Sequence, residues 1–132
     1  MDITVSQEQA TVPVTVFHIK GDIDVTSYQQ LQAQAQQAIE AGTRYLLLDL
    51  SQVGYTSSAG LRAIHFIFNL LRTDSPDESA RAVSWGLRDG TFKSPHLKLL
   101  SPSPGVLQVL TTTGFDMFLE IHYDLEEAVA SF

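Results

Sequence analysis

The feature that most constrains the fold is a run of three leucines at residues 46–48, which gives way within a few residues to a polar turn. Consecutive leucines favour a strand that is apolar on both faces, as a parallel strand covered by helices must be. Residues 51–59 are mostly small or hydroxyl-bearing and show no alternation, whereas from Leu61 the apolar residues recur at helical spacing. The segment therefore predicts a buried strand, a short polar turn and a helix.

Two serines, Ser57 and Ser58, lie where this helix is predicted to begin. The first turn of a helix carries unpaired backbone N–H groups and about half a positive charge, so it favours an anion. The commonest role of a serine at this position is to cap the helix through its hydroxyl oxygen. The alternative is that one of the two serines accepts a phosphoryl group. The local sequence leaves both interpretations open.

Composition narrows the classes of protein that fit. The chain has 132 residues, of which 44% are apolar, and this fits one domain over residues 1–132 with a hydrophobic core. Its net charge of -7 would repel a nucleic-acid backbone. There is no cysteine, no apolar run of about 18 residues and no signal-peptide pattern. We therefore expect a cytoplasmic protein with no nucleic-acid partner, no membrane span and no metal site.

Patterns before the leucine run predict two strands and a helix. Residues 3–6 alternate as a half-buried strand, and residues 14–19 form a second strand that pairs with the first as a hairpin. Thr26 and Gln29 have capping-box spacing for the helix that follows, and Gly42 is a natural residue to end it.

Patterns after the central helix predict alternating strands and helices. A strand at residues 97–100 precedes a helix that Ser103 begins and Gly114 ends. A last strand is predicted at residues 117–121, and Asp124 begins a short terminal helix. The order is ββαβαβαβα. The fold class is therefore α/β, with a mixed sheet whose later strands join through right-handed helical crossovers.

Two features depart from this regular pattern. Phe66 shares one side of the central helix with Arg62 and Asn69, so it is predicted to face outward and is a candidate anchor for a partner. Residues 73–95 form a long inserted connection, and connections of this length in compact domains are usually functional or disordered. The apolar residues in it predict that part of it packs on this domain or on another chain.

The sequence around the polar turn resembles that of the STAS domain of bacterial anti-sigma factor antagonists. In that family a strand ending in Asp-Leu-Ser is followed by Val, an aromatic residue, two further residues, the phosphorylated Ser, a small residue, Gly and Leu. This chain carries the pattern from Asp49 to Leu61. Two further family motifs, Gly-x-Leu/Ile-Asp and Thr-Gly-Leu/Phe-Asp, are matched at residues 21–24 and 113–116.

The resemblance implies a STAS-like domain that acts by partner switching. Matching by position places the phosphoacceptor at Ser58, and Ser57, which stands where many members have Asp, is the competing acceptor. The unmodified protein would bind an anti-sigma factor with serine kinase activity, phosphorylation would release it, and a phosphatase acting on phospho-Ser58 would reverse the change. The residues implied to contact the partner are Asp22, Asp24, Tyr55, Thr56, Ser57, Gly60, Leu61, Arg62 and Phe66.

The same resemblance implies no catalytic residue, no cofactor and no metal, so the protein would be a substrate and a ligand rather than an enzyme. The resemblance leaves open whether the protein forms a homodimer. An alternative is a STAS scaffold or lipid-transport accessory subunit, in which the serine is structural and binding is constitutive.

A serine hydrolase is the weaker alternative. A nucleophile elbow needs Gly two residues to either side of the serine, and only Gly60 meets this for Ser58, because residue 56 is Thr. No Asp–His pairing is readable from the sequence. The candidate bases are His65, His96 and His122.

Overall fold

The computed structural model describes residues 1–73 and 93–132, in which five strands form one mixed sheet. The strands are β1 (Asp2–Gln9), β2 (Pro13–Lys20), β3 (Leu46–Gln52), β4 (Leu97–Leu100) and β5 (Glu120–His122). They lie in the order β1-β2-β3-β4-β5, with β1 antiparallel to β2 and all other pairs parallel. The predicted hairpin and mixed sheet are therefore confirmed, and β3 lies at the centre.

The helices of the described residues alternate with the parallel strands in the predicted order. They are α1 (Tyr28–Glu40), α2 (Ser58–Thr73), α3 (Pro104–Thr112) and α4 (Leu125–Ala130), with a 3₁₀ helix at Phe115–Met117. Gly42 follows α1 with a φ of 116°, which only glycine adopts at little cost. Ser103 caps α3 by accepting from the Val106 N–H, and Asp124 caps α4 by accepting from the Glu127 N–H. These predicted helix ends are confirmed.

The leucine run divides between two apolar cores. Leu46 and Leu48 point to the core formed with α1, α2 and α3, which we call the helix-side core, and Leu47 points to a smaller core under α4. Alternation of side chains along a strand produces this division. The smaller core contains Val14, Val16, Leu47, Leu100, Ala128 and Val129. The prediction of a strand apolar on both faces is confirmed.

Three local predictions were wrong. The last strand begins at Glu120 rather than at residue 117, because the chain first makes the 3₁₀ turn. Thr26 does not cap α1, since its hydroxyl donates instead to the Asp24 carboxylate at 2.6 Å. Val5 is exposed rather than half-buried, because β1 is an edge strand and little covers this part of it.

The long connection predicted at residues 73–95 lies mostly outside the described residues. Its apolar side chains, Val83, Trp85, Leu87 and Phe92, belong to that part of the chain, so what they pack against stays a prediction.

Candidate functional site

The loops that follow β2 and β3 meet at the carboxyl edge of the sheet, where sites of α/β proteins commonly lie. Ile23 and Thr56 form a parallel bridge between the two loops. The Ile23 N–H donates to the Tyr55 carbonyl at 3.0 Å, and the Ser57 N–H donates to the Ile23 carbonyl at 2.9 Å. Backbone groups therefore fix residues 54–58, which we call the hydroxyl turn, against the loop at residues 21–27.

Ser57 caps α2. Its hydroxyl oxygen accepts from the Ala59 N–H at 3.2 Å and from the Gly60 N–H at 3.4 Å. Its carbonyl accepts from the Leu61 N–H at 3.0 Å. These contacts satisfy N–H groups that the first helical turn would otherwise leave unpaired. The capping role that the sequence could not assign between two serines belongs to Ser57.

Ser58 is the first residue of α2 and is exposed. Within the described residues its hydroxyl makes no hydrogen bond, so the oxygen is accessible from solvent. The two neighbouring serines therefore differ: one hydroxyl stabilises the helix start, and the other lies unengaged at its positive end.

Close packing under the turn explains the glycine that follows it. A Cβ atom on Gly60 would collide with the Thr56 hydroxyl oxygen and lie 2.7 Å from the Ile23 carbonyl oxygen. Thr56 and Gly60 are buried, and Leu61 is 8% exposed. These three members of the predicted partner-binding set therefore lie beneath the turn and offer little surface to a partner.

Two carboxylates lie in the neighbouring loop. Hydrogen bonds from the Thr26 hydroxyl and the Thr26 N–H lower the pKa of Asp24, so this group is ionised at neutral pH. Asp22 is exposed beside the turn, since a Cβ atom on Gly54 would lie 3.4 Å from its carboxylate oxygen. A phosphate on the turn would meet negative charge from this side.

Exposed side chains flank the turn. Tyr55 is 53% exposed, and Val25, which the sequence did not suggest, is 74% exposed in the adjacent loop. Arg62 is exposed one helical turn after Ser58. No sequence pattern marks Val25, because only the bridge between the two loops brings it near the turn.

The outward orientation predicted for Phe66 is wrong. Phe66 is half-buried and packs against the helix-side core. The buried side of α2 is wider than the helical spacing of apolar residues from Leu61 predicts, because Ala63 and Ile67 are also fully buried. Phe66 therefore lies at the edge of the core, and its contact with a partner stays a prediction.

A different polar cluster, absent from the sequence predictions, lies on the sheet face covered by α4. The Ser6 hydroxyl is 2.9 Å from His18 Nε2, and His18 Nδ1 is 2.8 Å from Asp49 Oδ2. Burial acts to raise the pKa of Asp49, but hydrogen bonds from His18 and Ser51 outweigh it, so this pKa lies below its ordinary value. We call Ser6, His18 and Asp49 the relay.

Lys98 anchors the end of the chain on this same face. It is 3% exposed, its Nζ donates to the Ser131 carbonyl at 2.8 Å, and it lies 3.2 Å from Glu120 Oε2. Burial acts to raise the pKa of Glu120, but hydrogen bonding and charge from Lys98, with a smaller contribution from His122, lower it overall.

The three histidines proposed as bases have other partners. His65 forms a hydrogen bond with Asn69, His96 with the Arg44 carbonyl and His122 with Glu120. None of these contacts involves Ser58, and they give no support to a hydrolase elbow at the turn. In the described parts of the chain, no His, Cys, Asp and Glu cluster could hold a metal ion, and no helix is long and apolar enough to cross a membrane.

Comparison with known proteins identifies the family. The STAS domain family matches residues 5–75, a range that includes the relay and the hydroxyl turn. The chain belongs to the STAS domain family. BtrV of Bordetella bronchiseptica, whose name provisionally assigns it as an anti-sigma factor antagonist, is 25% identical over 114 residues, covering 86% of this STAS chain and 82% of BtrV.

Solved structures of other proteins share the fold of this STAS domain. An anti-sigma factor antagonist from Mycobacterium paratuberculosis is similar with a TM-score of 0.69 and 18% identity, over 98% of this chain and 93% of the other. The Bacillus anti-sigma factor antagonist SpoIIAA in its unphosphorylated form gives 0.67 and 19%, over 96% and 93%. At these identities the likeness establishes the fold.

Proposed function

We propose that this STAS domain is an anti-sigma factor antagonist that works by partner switching, with Ser58 as the phosphoacceptor. The unmodified protein binds an anti-sigma factor with serine kinase activity, and transfer of a phosphoryl group to Ser58 releases it. A phosphatase acting on phospho-Ser58 restores binding. The observation that carries the proposal is the exposed Ser58 at the start of α2, whose hydroxyl makes no hydrogen bond within the described residues.

The contrast with Ser57 supports the choice of acceptor. Phosphoryl transfer to the Ser57 hydroxyl would displace the cap on α2, which costs about 1 kcal/mol. Transfer to Ser58 disturbs no hydrogen bond within the described residues. A phosphate there also lies in the favourable field of the helix N-terminus, so the domain can carry it without unfolding.

Charge explains how the modification would act on binding. A phosphoryl group adds about -1.5 to -2 charges to a chain that already has a net charge of -7. Asp22 and Asp24 lie in the adjoining loop, and Arg62 is exposed one turn along α2. A partner that covers the turn in its neutral state would have to desolvate the new charge, so its affinity should fall.

The exposed side chains indicate where the partner would contact the domain. Tyr55 in the turn and Val25 in the adjoining loop give exposed apolar surface, and Asp22 and Arg62 give charged surface. The name of the relative BtrV supports an anti-sigma factor as the class of partner. In this interpretation the protein is a regulator rather than an enzyme.

A kinase assay tests the acceptor. Incubation with ATP and the cognate anti-sigma kinase should add one phosphoryl group, which peptide mass spectrometry should place on Ser58. Ser58→Ala should remain unmodified, whereas the matched control Ser57→Ala should still be phosphorylated. Phosphate on Ser57, or none on either serine, would contradict the assignment.

A binding assay tests the switch. Ser58→Asp should bind the unphosphorylated kinase partner about tenfold more weakly, or about 1.4 kcal/mol, by isothermal titration calorimetry. Ser58→Ala should bind like the unmodified protein and should not respond to ATP. Thr112→Asp places the same charge on an exposed residue at the end of α3 and should leave affinity unchanged. A folded Ser58→Asp variant that binds at full strength would refute a charge-operated switch.

A further inference from the structure

The relay on the second sheet face has the connectivity of a nucleophile, a base and a residue that orients the base. The Ser6 oxygen lies 2.9 Å from His18 Nε2, and the other ring nitrogen, Nδ1, lies 2.8 Å from Asp49 Oδ2. These distances are within the range in which a positioned base can take a proton from a hydroxyl.

Strand register assembles the relay from three adjacent strands. His18 pairs with Asp49 across the parallel β2–β3 ladder, and Ser6 pairs with Val16, two residues before His18, across the β1–β2 ladder. The three side chains therefore share one sheet face. Because each comes from a strand rather than a loop, the sheet places their backbones side by side, although the β2–β3 register shifts just after His18.

The carboxylate decides which nitrogen of His18 carries the proton. Asp49 is ionised, since its pKa lies below the ordinary value, and a carboxylate can only accept a hydrogen bond. His18 Nδ1 must therefore donate. In the neutral ring this leaves Nε2 as the acceptor, so the Ser6 O–H points at the one atom that can remove its proton.

The serine end of the relay is open to reagents. Ser6 is half-buried on the edge strand β1, and the His18 side chain is 35% exposed, whereas the Asp49 side chain is 15% exposed. Ser6 and the base are therefore both partly accessible from solvent, whereas the carboxylate that orients the base is the less exposed partner of the His18–Asp49 pair. Thr4, which pairs directly with His18 on β1, is exposed as well.

We propose that Ser6 is a nucleophilic site that accepts an acyl group from activated acyl donors such as aryl esters or acyl phosphates. The Ser6 oxygen forms a bond to the acyl carbon while the bond from that carbon to the leaving oxygen breaks. The Ser6 proton passes to His18 Nε2 and then to the leaving group. His18 is the general base, and Asp49 is a positioning residue that holds the ring.

The substrate class follows from what surrounds the relay. Ser6 lies on the edge strand β1, and no loop or helix start of the described residues hydrogen-bonds to it, so these residues offer little to stabilise an oxyanion. Acyl donors with a good leaving group need the least stabilisation of the oxyanion. We therefore infer one acyl group per chain rather than rapid turnover. Ser58, whose hydroxyl bonds to no histidine within the described residues, should not react in this way.

Acylation with p-nitrophenyl acetate tests the site on the full chain. We expect an acetyl group on Ser6 by peptide mass spectrometry, and the rate of labelling of this peptide should fall at least tenfold in His18→Gln. Ser6→Ala is an edge-strand change that should preserve the fold, and it should lose the label at this peptide. Thr112→Ala, which removes an exposed hydroxyl far from the relay in sequence, should label Ser6 at the normal rate.

Rescue by a second carboxylate separates a positioning role for Asp49 from a structural one. Asp49→Asn should slow the labelling of Ser6 at least tenfold, whereas Asp49→Glu, which keeps the carboxylate, should label Ser6 faster than Asp49→Asn does. Circular dichroism confirms that each variant is folded. An unlabelled Ser6 in the unmodified sequence, or labelling as fast in folded His18→Gln, would overturn the proposal.

Discussion

The hydroxyl turn and the relay are two polar sites of similar size that are built in different ways. The turn is held by backbone hydrogen bonds between two loops, and within the described residues the hydroxyl of interest, that of Ser58, makes no hydrogen bond. The relay is placed by the sheet, but its three members are joined by side-chain hydrogen bonds. Substitution of Ser58 should therefore leave the turn in place, whereas substitution of His18 should break both hydrogen bonds of the relay.

This difference suggests how each site can be used. A switch residue must change its chemistry without unfolding the domain, and a backbone-built turn allows that. A nucleophile must keep a base aligned with it, and neighbouring strands provide that alignment. The predictions that follow test which contacts stabilise each region, those of the backbone or those of the side chains.

The largest effect is expected at the packing under the turn. Gly60→Ala should lower the free energy of unfolding by about 3 kcal/mol, because the added Cβ meets the Ile23 carbonyl, which the bridge between the loops holds in place. Gly105→Ala in α3 is the matched control, since no atom lies within 4 Å of its added Cβ. It should be neutral or stabilising by up to about 1 kcal/mol. Urea denaturation measures both, and equal effects would refute a close-packed turn.

A smaller effect is expected on the face that carries the relay. Lys98→Met should cost about 2 kcal/mol, because it removes charge-assisted hydrogen bonds to Ser131 and Glu120 from a buried group. Lys20→Met, on an exposed residue of β2, removes the same charge and should be within about 0.5 kcal/mol of the unmodified protein. Thermal denaturation compares them. If the two variants melt together, Lys98 does not anchor α4.

Acid should weaken the relay face. The folded pKa of Asp49 lies below its ordinary value of 3.8, so the stability it contributes is complete above that pH and is lost as the pH falls through the lower folded value. Asp49→Asn should flatten the acid limb of the stability curve measured by urea denaturation.

The matched substitution in the other region is Asp24→Asn. The pKa of Asp24 is also lowered, chiefly by the Thr26 hydroxyl, but Asp24 is solvent-accessible and screened. Asp24→Asn should therefore flatten the acid side of the curve of stability against pH less than Asp49→Asn does. An unchanged acid limb in Asp49→Asn would show that the relay carboxylate contributes nothing to acid sensitivity.

The smallest effect separates the neighbouring serines. Ser57→Ala should destabilise the domain by about 1 kcal/mol through loss of the α2 cap. Ser58→Ala should change stability by less than about 0.5 kcal/mol, because no hydrogen bond is lost within the described residues. Differential scanning calorimetry can resolve the two, and a larger loss in Ser58→Ala would reverse the assigned roles.

The hydroxyl turn could be predicted from the sequence because its signals are local. A leucine run, small hydroxyl residues and helical spacing follow one another within residues 46–71, and each reports on its own neighbourhood. Which of Ser57 and Ser58 caps the helix could not be predicted, because moving the predicted helix start by one residue would exchange their roles. Atomic positions were needed to assign the cap.

The relay could not be predicted because its members are distant in the chain. Ser6, His18 and Asp49 become neighbours only through the register of two strand pairings, and a slip of one residue in either would separate them. Phe66 shows a related difficulty, since helical spacing gives the direction of a buried stripe but not its width.

The central place of β3 has a consequence for amide hydrogen exchange. Strands bonded on both sides open only with the whole sheet, so the amides of residues 46–50 should be among the slowest to exchange. The hydroxyl turn begins where this protected strand ends, and its backbone is tied to the loop after β2, so its conformation should outlast the fraying of either edge strand. A modifying enzyme would then find the acceptor already in one geometry, without first ordering a flexible segment.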